Sequence, residues 1–279
     1  MVLVTGSNGQ LGSGFLRFFE RNGIEACGID REQLDITNQD KTIEYITGVK
    51  PACVFHCAAY SNVNLAEEEK ENCERINVIG TENITNACKA VGSKIVYIST
   101  DYVFDGTKGE PYDEMDDRNP LSVYGITKAH GEDTVLKYEK SFVVRIAWLF
   151  GKNGNNFVDT MIRLGQSNKE VTVVCDQIGS PTYVEDIVPL LYKISCSEKY
   201  GIYHATNEGY CSWADLAEKI MEYSNTSCTV KRVLSKEYGA KVTRPLDSRL
   251  SKAKLYENGF GRLPHWENAL VRYLQKENR

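Results

Sequence analysis

Short apolar runs alternate with amphipathic stretches from the start of the chain to about residue 147, and few folds accommodate that rhythm. Residues 2–5, 25–29, 52–57, 94–99 and 141–147 read as strands. Residues 10–22, 39–47, 66–91 and 122–139 read as the helices between them. This alternation predicts an α/β fold: a Rossmann-type, doubly wound parallel sheet with right-handed crossovers and helices on both faces. On such a sheet ligands gather beyond the carboxyl ends of the strands. Thr5, Asp30, Ala58, Ser99 and Ala147 all fall at those ends. After Gly151 the segments shorten and aromatics become frequent. Helices are expected near 156–166, 184–195, 212–223, 248–257 and 264–276, with strands near 171–175, 203–205 and 229–234. Ser212 and Asp215 form a capping-box variant at one helix start. The expected organisation is a dinucleotide-binding domain at 1–150 plus about 176–200. A smaller, discontinuous α+β substrate domain at about 151–175 and 201–279 would close a pocket against it.

Gly6, Gly9 and Gly12 are spaced G-x-x-G-x-x-G where the first strand turns into the first helix. Glycines there permit a tight turn and let backbone N–H groups approach a pyrophosphate at the positive helix end. Together with Asn8, Gln10 and Leu11 they form a candidate cofactor loop. Asp30, ending the second strand, is placed for the adenosine ribose hydroxyls and so for NADH. Arg31 beside it suits the extra phosphate of NADPH, and the choice stays open at this point. Asp35 and Ile36 are in place to flank an adenine, and Ala58, Ala59 and Tyr60 follow the third strand.

Residues 99–128 carry the second constellation. Tyr124 and Lys128, four apart on a helix, share one face. A neighbouring ammonium favours the phenolate and makes the phenol a better proton donor and acceptor near neutral pH. The Thr100 hydroxyl, at the end of the preceding strand, can complete a trio around a carbonyl oxygen.

Composition narrows the classes. The chain has 279 residues, 42% hydrophobic and 25% charged, which excludes disordered and collagen-like types. A net charge of −5 with mixed signs argues against nucleic acid as a partner. No apolar run approaches the roughly 20 residues of a membrane span. Opening directly on a strand, without a basic leader, the chain reads as cytoplasmic. Nine cysteines with no C-x-x-C pair read as free thiols, and four scattered histidines make no zinc spacing, so no metal is expected. His56 reads as a structural strand-end residue.

With these motifs in one chain, the sequence resembles the dTDP-4-dehydrorhamnose reductase family of the extended short-chain dehydrogenase/reductases. The blocks that carry the resemblance are TGSNGQLG (5–12), CAAY (57–60), YISTDYVFDG (97–106), NPLSVYGITK (119–128), RIAWLFG (145–151), NNF (155–157), DQIGSPTYVED (176–186), RPLDSRL (244–250) and LPHWENAL (263–270). The resemblance implies reduction of the C4 ketone of dTDP-4-dehydro-L-rhamnose to dTDP-L-rhamnose, with NADPH or NADH as hydride donor. It implies that Thr100, Tyr124 and Lys128 are catalytic. Tyr124 protonates the developing alkoxide, and Lys128 depresses the Tyr124 pKa and holds the nicotinamide ribose. It places Thr100, Asp101, Tyr102, Val103, Trp148, Asn156, Gln177, Arg244 and Arg249 around a dTDP-linked 4-keto-6-deoxysugar, and it leaves a homodimer open.

Three departures stand out. Asn64 replaces the aspartate of the family's V-D-x-A-E, and Asp247 stands where Asn is common. Residues 13–15 read Ser-Gly-Phe where some members carry a glutamate for an interfacial magnesium. Rival readings are a sugar-nucleotide dehydratase or epimerase and a non-catalytic regulatory subunit. Tyr102, where dehydratases place glutamate, argues against the first; an intact trio argues against the last.

Overall fold

The computed structural model describes residues 1–277. Six strands form one parallel sheet: β1 (Val2–Thr5), β2 (Ala26–Ile29), β3 (Cys53–His56), β4 (Lys94–Thr100), β5 (Ser141–Ile146) and β6 (Gly201–His204). Their order is β6-β5-β4-β3-β1-β2, so connections leave β1 in opposite directions and open a crevice at the β1/β3 switch point. The strands read as continuous apolar runs because both faces are covered. Val2, Val4, Phe55, Val96, Ile98, Phe142 and Val144 point into one core, with helices Gln10–Arg21 and Val184–Ser195. Leu3, Val54, Ile95, Tyr97 and Val143 point into the other, with helices Gln39–Val49 and Thr81–Val91. This strict period of two is the strand geometry itself.

A second core is built from Phe150, Met161, Val171, Tyr183, Leu216, Trp266 and Tyr273. Around it lie the helices Phe157–Ser167, Trp213–Tyr223 and Trp266–Glu277 and the parallel pair Glu170–Val174 and Thr229–Val233. The Ser212/Asp215 capping box is present, with both reciprocal hydrogen bonds.

The structure departs from the sequence reading in three places. The expected helix at 66–91 is broken into Val63–Ala66, Lys70–Glu74, a π-helical turn Arg75–Gly80 and Thr81–Val91. The strand near 203–205, assigned above to the second unit, is instead the edge of the main sheet, paired with β5. Two-residue ladders such as Leu149–Phe150 with Thr182–Tyr183 have too few residues to show a period in sequence. All nine cysteines are free thiols. Among the described residues no helix is long and apolar enough to cross a membrane, and no cluster of three or more His, Cys, Asp or Glu could hold a metal ion.

Candidate active site

A cleft of about 660 Å3 runs across the carboxyl edge of the sheet, from the β1 turn to the second unit. Its floor is the glycine loop. Gly6 has φ +64°, and a Cβ there would stand 2.8 Å from the Ala58 backbone. Only glycine both adopts that conformation and lets the β1 and β3 ends approach so closely. Gly9 precedes helix Gln10–Arg21 without any side-chain cap, which leaves the first-turn N–H groups free for an anion. Gly6, Gly9, Gln10, Leu11, Gly12, Asp30, Arg31, Asp35, Ile36, Ala58 and Ala59 all line this cleft.

Two of the expected cofactor residues do not. Asn8 lines a separate groove beside Ser13 and Arg17, and only its backbone serves the loop, donating to Asp30 Oδ2 at 2.9 Å. Tyr60 is turned away: its backbone N and O are both bonded to the Asn77 amide and its hydroxyl donates to Glu69. Asp35 closes an Asx turn onto Thr37, whose hydrogen bonds hold its carboxyl below the usual range.

At the centre of the cleft stand Thr100, Tyr124 and Lys128. Thr100 ends β4, and Ser122 caps helix Val123–Val135 through Gly125 N at 3.2 Å, which sets Tyr124 in its first turn. Gly125 is required beneath it, because a side chain there would strike the Tyr102 carbonyl. The Thr100 hydroxyl lies near enough to the Tyr124 phenol to oppose the effect of burial on its pKa. It also accepts from Tyr102 N and lies 3.1 Å from Asp101 Oδ1. Lys128 is 2% exposed, with Nζ 3.9 Å from the centroid of the Tyr97 ring.

The electrostatics differ from the expectation that Lys128 acidifies Tyr124. Burial dominates both groups. It raises the Tyr124 pKa, with the Thr100 hydroxyl opposing, and it lowers Lys128 to about 7, with the Glu132 charge opposing. Glu132, one further turn along the helix, is fully buried. It accepts from Arg145 Nε and Nη2 at 2.9 and 2.7 Å, from Ser99 Oγ at 2.5 Å and from Arg118 Nη1 at 3.1 Å. Asp101 is pushed up to about 6 by burial, although the Ser248 hydroxyl donates to it at 2.6 Å.

The far wall contains fewer of the expected residues. Asp101, Tyr102 and Trp148 line it. Trp148 sits in the left-handed region at φ +48°, an uncommon conformation for an aromatic residue. Its indole is stacked on Trp213, with centroids 3.6 Å apart and planes at 9°. Val103, by contrast, is fully buried among Phe104, Tyr112 and Leu250. Asn156 caps helix Phe157–Ser167, accepting from Asp159 N and donating to Gly151 O. Gln177 donates to Ser235. Arg249 makes a two-point pair with Asp247, and Arg244 donates to Asn64 Oδ1 at 3.2 Å, its charge lowering the pKa of Tyr102 against burial. Asn156, Gln177 and Arg249 thus spend their polar atoms on neighbouring groups of the chain, as turn and cap residues with polar atoms to satisfy do.

The sequence reading missed Arg75 and Trp213 on the cleft wall and Glu132 behind it. The four-residue step from Tyr124 through Lys128 continues to Glu132, a signal that was legible. Arg75 and Trp213 gave none, since nothing local marks them.

The family model described as RmlD substrate binding domain matches residues 1–279. A dTDP-4-dehydrorhamnose reductase of Aggregatibacter actinomycetemcomitans is 38% identical, covering 96% of both chains. The spore coat polysaccharide biosynthesis protein SpsK of Bacillus subtilis is also 38% identical, over 99% of this chain and 98% of its own. The crystal structure of dTDP-4-dehydrorhamnose reductase from Bacillus anthracis in complex with NADP superposes with a TM-score of 0.96. It is 43% identical, over 99% of this chain and 98% of that one. UDP-glucose 4-epimerase of Thermus thermophilus, at 21% identity and a TM-score of 0.83, shares the fold. Over its whole length, then, this chain belongs to the RmlD family, several of whose members similar to it are named dTDP-4-dehydrorhamnose reductases.

Proposed function

We propose that the protein reduces the C4 ketone of dTDP-4-dehydro-L-rhamnose with NADPH, yielding dTDP-L-rhamnose in the cytoplasm as a polysaccharide precursor. The observation that carries this reading is that Thr100, Tyr124 and Lys128 share one cleft with the glycine loop. A dinucleotide fits that loop: Gly6 leaves no room for a Cβ, and the uncapped helix start after Gly9 can face its pyrophosphate. When bound, the reduced nicotinamide supplies the hydride.

The chain's own residues manage the proton. The Tyr124 hydroxyl donates it to the ketone oxygen as negative charge develops there, and Thr100 orients the phenol. A phenolate left behind Thr100 is stabilised by Lys128. That lysine titrates near neutrality in the free protein and is driven towards its charged form by the anions entering the cleft. Ser99, Arg145 and Arg118 fix Glu132 one turn beyond Lys128, so the helix cannot rotate Tyr124 out of line. The stacked Trp148 and Trp213 offer an apolar surface suited to a deoxysugar.

Cofactor oxidation with the dTDP-linked 4-keto-6-deoxysugar, followed by product identification, tests the assignment. Tyr124→Phe should bind cofactor normally and lose at least about 10²-fold in turnover. Near wild-type turnover in that variant would remove Tyr124 from the chemistry.

A further inference from the structure

The end of the cleft beyond Asp30 is lined from two sides. Asp30, Arg31, Leu34, Asp35 and Ile36 come from the segment after β2, while Arg75 and Ile76 come from the π-helical turn Arg75–Gly80 on the opposite side. Both guanidinium groups lie close enough to Asp35 to lower its pKa. Among the described residues, neither arginine forms an ion pair with a carboxylate. Arg75 donates only to a neutral amide, Asn72 Oδ1, at 3.1 Å. The acidic groups beside them are turned onto their own loops: Asp30 accepts from Asn8 N and Arg31 N, and Asp35 accepts from both the N–H and the hydroxyl of Thr37.

The π-helical turn is held firmly where it is. Gly80 packs on Ile36, where a Cβ would stand 2.8 Å from the isoleucine side chain. Asn77 donates to the Tyr60 carbonyl and to Thr127 on helix Val123–Val135. Arg75 is therefore carried on a turn braced against both the β2 segment and that helix. Positive charge on two segments lining one end of the cleft, felt by Asp35 but in no ion pair with it, and with Asp30 and Asp35 each hydrogen-bonded to their own loops, suits a compact dianion rather than a pair of hydroxyls.

We infer that Arg75 and Arg31 clamp the phosphate on the 2′ position of the adenosine ribose, which makes Arg75 a determinant of NADPH over NADH. This rests on the reading of the cleft as a nicotinamide-dinucleotide site, and binding to the cofactor-free full chain tests it independently of turnover. Titration with NADPH, NADH, adenosine 2′,5′-bisphosphate and 5′-AMP compares ligands with and without the phosphate. Arg75→Gln should weaken the two 2′-phosphorylated ligands by about 10- to 100-fold, the scale of a charge-assisted contact, and leave the other two within about twofold. Arg31→Gln should act in the same direction, and Arg75→Lys should recover part of the loss as a point charge. Equal weakening of all four ligands by Arg75→Gln, or of none, overturns the clamp. Wild-type protein that binds NADPH tightly yet oxidises it with no ketosugar nucleotide would sink the reductase reading alone, because the clamp is judged on the binding data.

Discussion

On the sheet side of the cleft, Thr100, Tyr124 and Lys128 line the cavity and are backed by a buried charge network. Across from them Asn156, Gln177 and Arg249 belong to equally specific sequence blocks, yet their polar atoms cap a helix, tie a loop and pair with a neighbour. The difference teaches that a family block identifies a local structure first. It identifies a ligand contact only where that structure leaves the side chain unspent. Tyr124 and Lys128 stand on helix Val123–Val135, whose own hydrogen bonds satisfy its backbone, so their side chains are free for chemistry. Across the cleft Asn156 closes the first turn of a helix, while Gln177 and Arg249 are spent on neighbouring side chains.

The hardest test of this contrast is the network behind Lys128. Arg145→Met removes two of the hydrogen bonds that hold Glu132, itself 0% exposed. It should cost about 3–5 kcal/mol in urea unfolding, since a buried charge is left short of partners. A loss under about 1 kcal/mol, the scale of a surface pair, would show that the network does not support the sheet side.

Lys128 provides a pH test of intermediate size. Its folded pKa of about 7 lies below the ordinary 10.5, so between those values the unfolded chain binds more protons and stability rises with pH. The burial cost is complete below about pH 7 and gone by about 10.5. Cofactor-free Lys128→Met should therefore melt above wild type at acidic pH, with the gap closing as pH rises. A pH-independent gap would mean that Lys128 is buried without titrating.

The smallest effect belongs to the far wall. Asn156→Ala should lose about 1 kcal/mol of stability, as a helix cap does, while KM for the sugar nucleotide stays unchanged. A raised KM at unchanged stability would return Asn156 to the substrate site and break the contrast.

Most of the sheet was legible because buried parallel strands announce themselves as apolar runs, and the Gly6 turn because nothing else fits it. The far wall was less so. Trp148 adopts a left-handed backbone that no propensity anticipates, and its partner Trp213 is 65 residues away in sequence, brought over by the packing of the second core. β6 pairs with β5 across a gap that includes most of the smaller unit's first half, a long-range choice that local pattern does not record. Tyr124 and Lys128 share one helix, as their spacing indicates, whereas the burial that raises one pKa and lowers the other depends on everything packed around them and leaves no local signal.

The wide turn at Arg75–Gly80 has a consequence for how this chain can change length. An uninterrupted α-helix would cover the same path with one residue fewer, whereas a residue added or removed elsewhere in the segment swings the remainder by roughly 100° about the axis. Asn77 bonds at once to Tyr60 and Thr127, so such a swing would part it from both. Point substitutions on the exposed face can therefore drift, whereas a single-residue insertion or deletion in the helical turns flanking Arg75–Gly80 must be compensated at the wide turn if Asn77 is to keep both partners.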